Sequence, residues 1–91
     1  MPLVRFTRNI QRHVACPDRR VDGSTAREVL DNYFDGSDQN KARHYVLDEQ
    51  GALRQHMAIF INGKPVRDRE KLSDTIDGEA TLDVFQALSG G

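Results

Sequence analysis

Ser89-Gly90-Gly91 follows directly on an alternating, strand-like run from Ala80 to Leu88. An arm of two glycines has no side chains. It fits a slot too narrow for any other residue, and its backbone can lie flat against a catalytic surface. Glycine loses more conformational freedom on ordering than any other residue, so an unneeded pair in a packed element only weakens it. The chemical handle on such an arm is a free α-carboxylate, which is ionised at neutral pH. It is a poor electrophile until another molecule activates it. The bland alternative is a frayed terminus with no chemistry, since chain ends are tolerant of such sequences.

No other residues have the spacing of a catalytic or metal centre. His13, His44 and His56 are scattered and lack a helical pair of metal-ligand spacing. They are expected at the surface. Cys16 is the one cysteine, which excludes an internal disulfide and a four-thiolate metal site. Standing before Pro17 with no neighbour to lower its pKa, it reads as a small buried hydrophobe. Asp31, Asp35 and Asp38 surround an expected helix end and read as solvated. Gly23, Gly36, Gly51, Gly63 and Gly78 are dispersed at turns, not gathered into a phosphate-binding loop. No catalytic residue, bound metal or bound cofactor is expected.

The elements that carry the arm follow from length and pattern. Ninety-one residues make one small domain, which buries roughly 60–65% of its unfolded surface. Charged residues reach 30%, but the net charge is only −1, which argues against a general nucleic-acid binder. The charge is uneven: Arg5, Arg8, Arg12, Arg19 and Arg20 crowd the first twenty positions, and Asp68, Glu70, Asp74, Asp77, Glu79 and Asp83 the last part. No stretch is apolar enough to span a bilayer, and the expectation is a soluble, cytoplasmic protein.

Leu3 to Arg8 alternates as a strand with Val4 and Phe6 inward. Residues 13–22 read as a second strand interrupted by Pro17, hence an edge, joined to the first through Asn9 to Arg12. Thr25 with Glu28 is a capping box. Ala26, Val29, Leu30, Tyr33 and Phe34 then follow on one helical face, with Gly36 placed to end the helix. The polar segment 37–43 reads as a loop or short turn. Tyr45 to Asp48 reads as a short strand, Gln50-Gly51 as a turn, and Leu53 to Ile61 as a longer strand with Met57, Ile59 and Ile61 on one face. Asn62-Gly63 suits a two-residue hairpin turn, and Lys64-Pro65-Val66 an edge return. Leu72 to Ile76 reads as one helical turn, and Asp77-Gly78 turns the chain into the last strand. One amphipathic helix covering one face of such a sheet makes an α+β domain: a β-grasp with a mixed sheet of about four to five strands. The boundaries are 1–88 for the domain and 89–91 for a flexible Gly-Gly tail.

The chain resembles the ubiquitin-like sulfur carriers of the molybdopterin-synthase small-subunit and thiamine-biosynthesis type. Ile59-Phe60-Ile61-Asn62-Gly63, Ile76-Asp77-Gly78-Glu79 and Thr81 to Gly91 carry the resemblance. It departs from the family in having Gln86-Ala87-Leu88-Ser89 where many members have prolines, and in extra residues around 37–55. The resemblance implies that an adenylating, E1-like enzyme uses ATP and magnesium to activate Gly91. A sulfurtransferase or persulfide donor then converts it to a thiocarboxylate, which a sulfur-accepting synthase consumes. Ser89, Gly90 and Gly91 form the working tail. Sulfur donated this way would serve molybdopterin, thiamine or cysteine biosynthesis. Two other readings stand beside it: a ubiquitin-like modifier joined through Gly91 to lysines, and a β-grasp interaction module without tail chemistry.

Phe60, Phe85 and Leu88 are the expected partner-binding residues. If Met57, Ile59, Ile61, Leu82 and Val84 face the helix, then Phe60 and Phe85 face the open side of the sheet and form an apolar patch near the tail. A one-residue error in phase would bury them instead, and segment 37–55 could also cover them.

Overall fold

The structure, a computed structural model, describes residues 1–35 and 40–86. The expectations on Gly36, on Asp38 and on the tail Ala87 to Gly91 lie outside the described residues. The elements are β1 (Leu3–Phe6), α1 (Arg8–Gln11), β2 (Arg19–Arg20), α2 (Ala26–Tyr33), α3 (Asn40–Val46), β3 (Met57–Ile61), β4 (Lys64–Pro65) and β5 (Thr81–Gln86).

The five strands form one mixed sheet in the order β2-β1-β5-β3-β4. β5 runs parallel to β1, with Val4 opposite Leu82 and Phe6 opposite Val84. It runs antiparallel to β3, with Ile59 opposite Val84 and Ala58 opposite Phe85. The last strand is therefore the central one, and β2 and β4 are the short edges, as Pro17 and Pro65 require.

The inward phase is as expected. Val4, Phe6, Met57, Ile59, Leu82 and Val84 are buried, together with Ala26, Val29, Leu30, Tyr33 and Phe34 of the α2 face. Phe6 packs against both Tyr33 and Phe34, with ring centroids 5.0 and 6.2 Å apart. The Tyr33 hydroxyl donates to the Pro17 carbonyl, and burial pushes its pKa up to about 12. Arg19 lies over the same ring, 4.3 Å from its centroid.

At the start of α2, Thr25 Oγ1 accepts from the Glu28 amide at 3.2 Å. Glu28 reaches back one residue further than a capping box requires, to the Ser24 amide at 2.9 Å and hydroxyl at 2.8 Å. These bonds, the amide first, lower the Glu28 pKa, and the negative charge sits favourably at the helix N-terminus. The Asn62-Gly63 turn has φ of 51° and 82°, as a two-residue hairpin demands. Asn62 also ties the hairpin to β5: its Oδ1 accepts from the Thr81 amide at 2.9 Å.

Four expectations change. The connection after β1 is not a plain hairpin turn, because residues 8–11 form a helical turn that buries Ile10. The strand expected over 13–22 shrinks to Arg19–Arg20; Val14 and Cys16 instead plug the core from irregular backbone. Tyr45-Val46 belongs to α3, not to a strand. Ala42 and Val46 are its buried positions at helical spacing, and Leu47 makes only an isolated bridge to Leu53. The strand expected from Leu53 begins at Met57, after a turn closed by the Met57 amide on the Arg54 carbonyl.

The helical turn expected over Leu72 to Ile76 is also absent. Leu72 is buried with φ of 55°, a left-handed backbone that is unusual for a leucine. Its amide donates to the Asp68 carbonyl and its carbonyl accepts from the Arg27 amide. The Asp68 carboxylate organises the loop, accepting from the Lys71 amide at 2.9 Å and the Ser73 hydroxyl at 2.6 Å. Asp74 accepts from the amides of Arg67 and Asp68, both at 2.9 Å.

Candidate functional site

Strand alternation gives the sheet one face under α2 and one open face. On the open face, Phe60 and Phe85 meet edge to face, with ring centroids 5.3 Å apart and planes at 66°. Phe85 is 40% exposed, a large figure for a phenylalanine in a central strand; Phe60 is half-buried. Neither ring belongs to the core, and the described part of segment 37–55 leaves Phe85 uncovered. Pro65 stands opposite Phe60 on the edge strand. Beside the rings, Arg5 grips Asp83 through two bonds of 2.7 and 3.1 Å. Pairs this exposed contribute little to stability. The pair sets fixed polar groups beside the apolar Phe60–Phe85 patch.

The end of β5 is held from the other side. Tyr45 of α3 donates its hydroxyl hydrogen to Gln86 Oε1 at 2.8 Å. His13 stacks on the Tyr45 ring at 5.7 Å and 21°, and His56 meets the same ring edge-on at 6.2 Å. Thr7 Oγ1, buried just past the end of β1, has no hydrogen-bond partner among the described residues. The histidines are exposed as expected, but two of them share one tyrosine. The Ala42, Tyr45, Val46 spacing was the available signal for this helix, and it was read as strand.

Leu88, Ser89, Gly90 and Gly91 lie outside the described residues, so the geometry begins where their strand ends, at Gln86. Cys16 is buried, and burial pushes its thiol pKa up to about 11; the Sγ donates weakly to the Val14 carbonyl. No three ionisable or thiol side chains stand close enough to hold a metal ion among the described residues. A shallow groove of about 550 Å³ on the α2 side is lined by Asp22, Ser24, Glu28 and Asp31, and it is remote from the open face. Among the described residues no helix is long and apolar enough to cross a membrane.

No family model matches this sequence, and no curated protein does. Solved structures do. A chain of the Amycolatopsis orientalis BexX/CysO complex superposes with a TM-score of 0.79 at 20% identity, covering 100% of both chains. SAMP1 from Haloferax volcanii gives 0.73 at 21% identity, over 99% of this chain and 98% of that one. Small archaeal modifier protein 1 from Methanosarcina acetivorans gives 0.71 at 24% identity, over 99% and 95%. The likeness runs through the whole sheet-and-helix arrangement, not through sequence. With β5 central beside β1 and α2 across one face, this chain has the ubiquitin-like β-grasp fold of those proteins.

Proposed function

We propose that the protein is a sulfur carrier, a co-substrate whose Gly91 carboxylate is activated and thiolated by partner enzymes. The observation that carries this reading is the position of β5. The central strand leads straight into Ala87-Leu88-Ser89-Gly90-Gly91, beside an exposed Phe60–Phe85 patch. In this reading a partner activates the residues that follow β5, and the patch offers that partner its grip.

The chemistry balances with few parts. A Gly91 carboxylate oxygen attacks the α-phosphorus of magnesium-bound ATP on an adenylating enzyme, and pyrophosphate leaves. A persulfide sulfur then attacks the acyl carbon, and AMP leaves with its electron pair. A thiol cleaves the resulting acyl disulfide, giving the thiocarboxylate and a new disulfide. The thiocarboxylate sulfur goes to a synthase that builds molybdopterin, thiamine or cysteine. The resemblance named above supports this sequence of steps.

A second reading has its own support. Two of the structural neighbours are small archaeal modifier proteins by name. In that reading the acyl-adenylate passes instead to a lysine of another protein. Intact mass spectrometry of the chain from its native cells separates the two. A carrier yields a species with one carboxylate oxygen replaced by sulfur, which an alkylating reagent traps. Abundant Gly-Gly remnants on lysines of other proteins, with no thiocarboxylate even after supply of the activating enzyme and a sulfur donor, would overturn the carrier reading.

A further inference from the structure

β1 and β5 are parallel, so both finish at the same end of the sheet. α1 follows β1 there, and it carries Arg8, with Arg12 and His13 directly after it. All three side chains are exposed. Arg12 and His13 are fixed by backbone bonds to Arg8 and Ile10. Next to them, Tyr45 is bonded to Gln86 and flanked by His13 and His56. The end of β5 thus lies near the turn that carries Arg8 and Arg12, with Tyr45 and its two histidines beside Gln86. Neither Arg8 nor Arg12 makes an ion pair among the described residues, whereas Arg5, Arg27 and Arg43 all do.

Several acidic residues are placed elsewhere, although Asp48 shares a shallow groove with Arg54 and His56. Asp22, Glu28 and Asp31 line the groove beside α2. Asp77 and Glu79 precede β5, at the opposite end of the sheet. Asp18 lies at the same end of the sheet as α1, where its carboxylate accepts from the Phe6 amide at 3.4 Å.

We infer that Arg8, Arg12, His13, Tyr45 and His56 form a second docking surface, at the root of the tail, that receives an acidic protein surface. It is distinct from the Phe60–Phe85 patch, and the two lie on different sides of the end of β5. Two unpaired guanidiniums on one short turn match carboxylates well, and the stacked rings add rigid contact area between them. A long polyanion such as RNA is disfavoured, because the net charge is −1 and the acidic groove beside α2 would repel it. The acidic partner is the rim of the slot that accepts the tail, a clause that rests on the carrier-or-modifier reading. The surface itself does not.

The test has two arms. In the first, the labelled protein is titrated with a short oligo-glutamate peptide and, separately, with a single-stranded RNA of equal charge. Amide shifts confined to residues 8–13, 45 and 55–57 are expected with the peptide, and they should vanish in Arg8→Glu/Arg12→Glu but persist in Arg8→Lys/Arg12→Lys. Shifts that are absent or spread over the molecule would overturn the surface. Tighter binding of the RNA would overturn its assignment to protein. In the second arm, association with the adenylating enzyme is followed against salt. The charge-reversed variant should associate about tenfold more slowly at low salt, with its dissociation rate and melting temperature unchanged. An unchanged association rate and salt slope would overturn the assignment to the slot rim. No binding by the wild-type chain would count against the carrier reading instead, leaving the first arm to decide the surface.

Discussion

Phe60 and Phe85 touch edge to face at 5.3 Å on the face of the sheet that α2 does not cover. Their neighbours one position away, Ile59 and Val84, are paired on the opposite face and fully packed. A single step along each strand separates the core from the open face of the sheet.

Phe85→Ala and Phe60→Ala should therefore weaken binding to the adenylating enzyme much more than they lower the melting temperature. Truncating an aromatic anchor at an interface costs about 2 kcal/mol or more. Calorimetric titration beside a thermal melt reads both. A large loss of stability with unchanged affinity would assign the rings to the core.

Deleting Gly91, or placing a bulky side chain at Gly90, should abolish ATP–pyrophosphate exchange. The melt should not move, because the described core lies wholly within residues 4–84. Full exchange with the shortened chain would remove the proposed function.

Tyr45→Phe deletes one hydroxyl and with it the bond to Gln86. A single hydrogen bond of this kind contributes about 1 kcal/mol, so chemical denaturation should show a loss near that size. Hydrogen exchange should accelerate first at Met57 and Gln86, the pair at the end of β3–β5. An unaltered exchange pattern would mean that α3 does not brace this end.

Asp68 sets a pH dependence. Hydrogen bonds from the Ser73 hydroxyl and the Lys71 amide hold its carboxyl at about 2, below the usual 3.8. A carboxyl depressed in the folded state stabilises above its unfolded pKa, and the contribution fades as pH falls through the folded one. Wild type should therefore melt higher than Asp68→Asn at neutral pH, and the gap should close between about pH 4 and pH 2. A gap independent of pH would show that the loop does not depend on the ionised carboxylate.

Cys16 is 2% exposed, and burial raises its pKa to about 11. Thiolate is the reactive form, so a thiol reagent at neutral pH should modify the folded protein slowly and the urea-unfolded protein fast. Rapid labelling of the folded protein would place the thiol at the surface.

What the sequence made legible was local. Thr25 and Glu28 mark the start of α2, and the spacing from Ala26 to Phe34 gives its buried face. Asn62-Gly63 fixes the β3–β4 hairpin, and the alternation of Leu82, Asp83, Val84 and Phe85 orients the central strand. These patterns are short, and no distant contact competes with them. α3 was lost because an aromatic and a β-branched residue, Tyr45 and Val46, favour strands on propensity alone. The left-handed turn at Leu72 was lost because the bonds that impose it come from Asp68 and from α2. His13, Tyr45 and His56 are apart in sequence, and only the tertiary fold brings them together. The chemistry proposed for the tail rests on residue types; the cationic setting at the end of β5 was not visible in them.

The position of β5 has a further consequence, for synthesis. Its partners are residues 3–6 on one side and 57–61 on the other. While a ribosome has yet to release residues 81–86, β1 and β3 each keep an unfilled edge, and only two-stranded ribbons can form. Such ribbons are marginal alone, and contacts that close almost the whole chain form slowly. The sheet should therefore form only after residues 81–86 have left the ribosome. A nascent chain stalled short of β5 should remain open to chaperones and proteases, so a completed sheet reports that translation has passed residue 86.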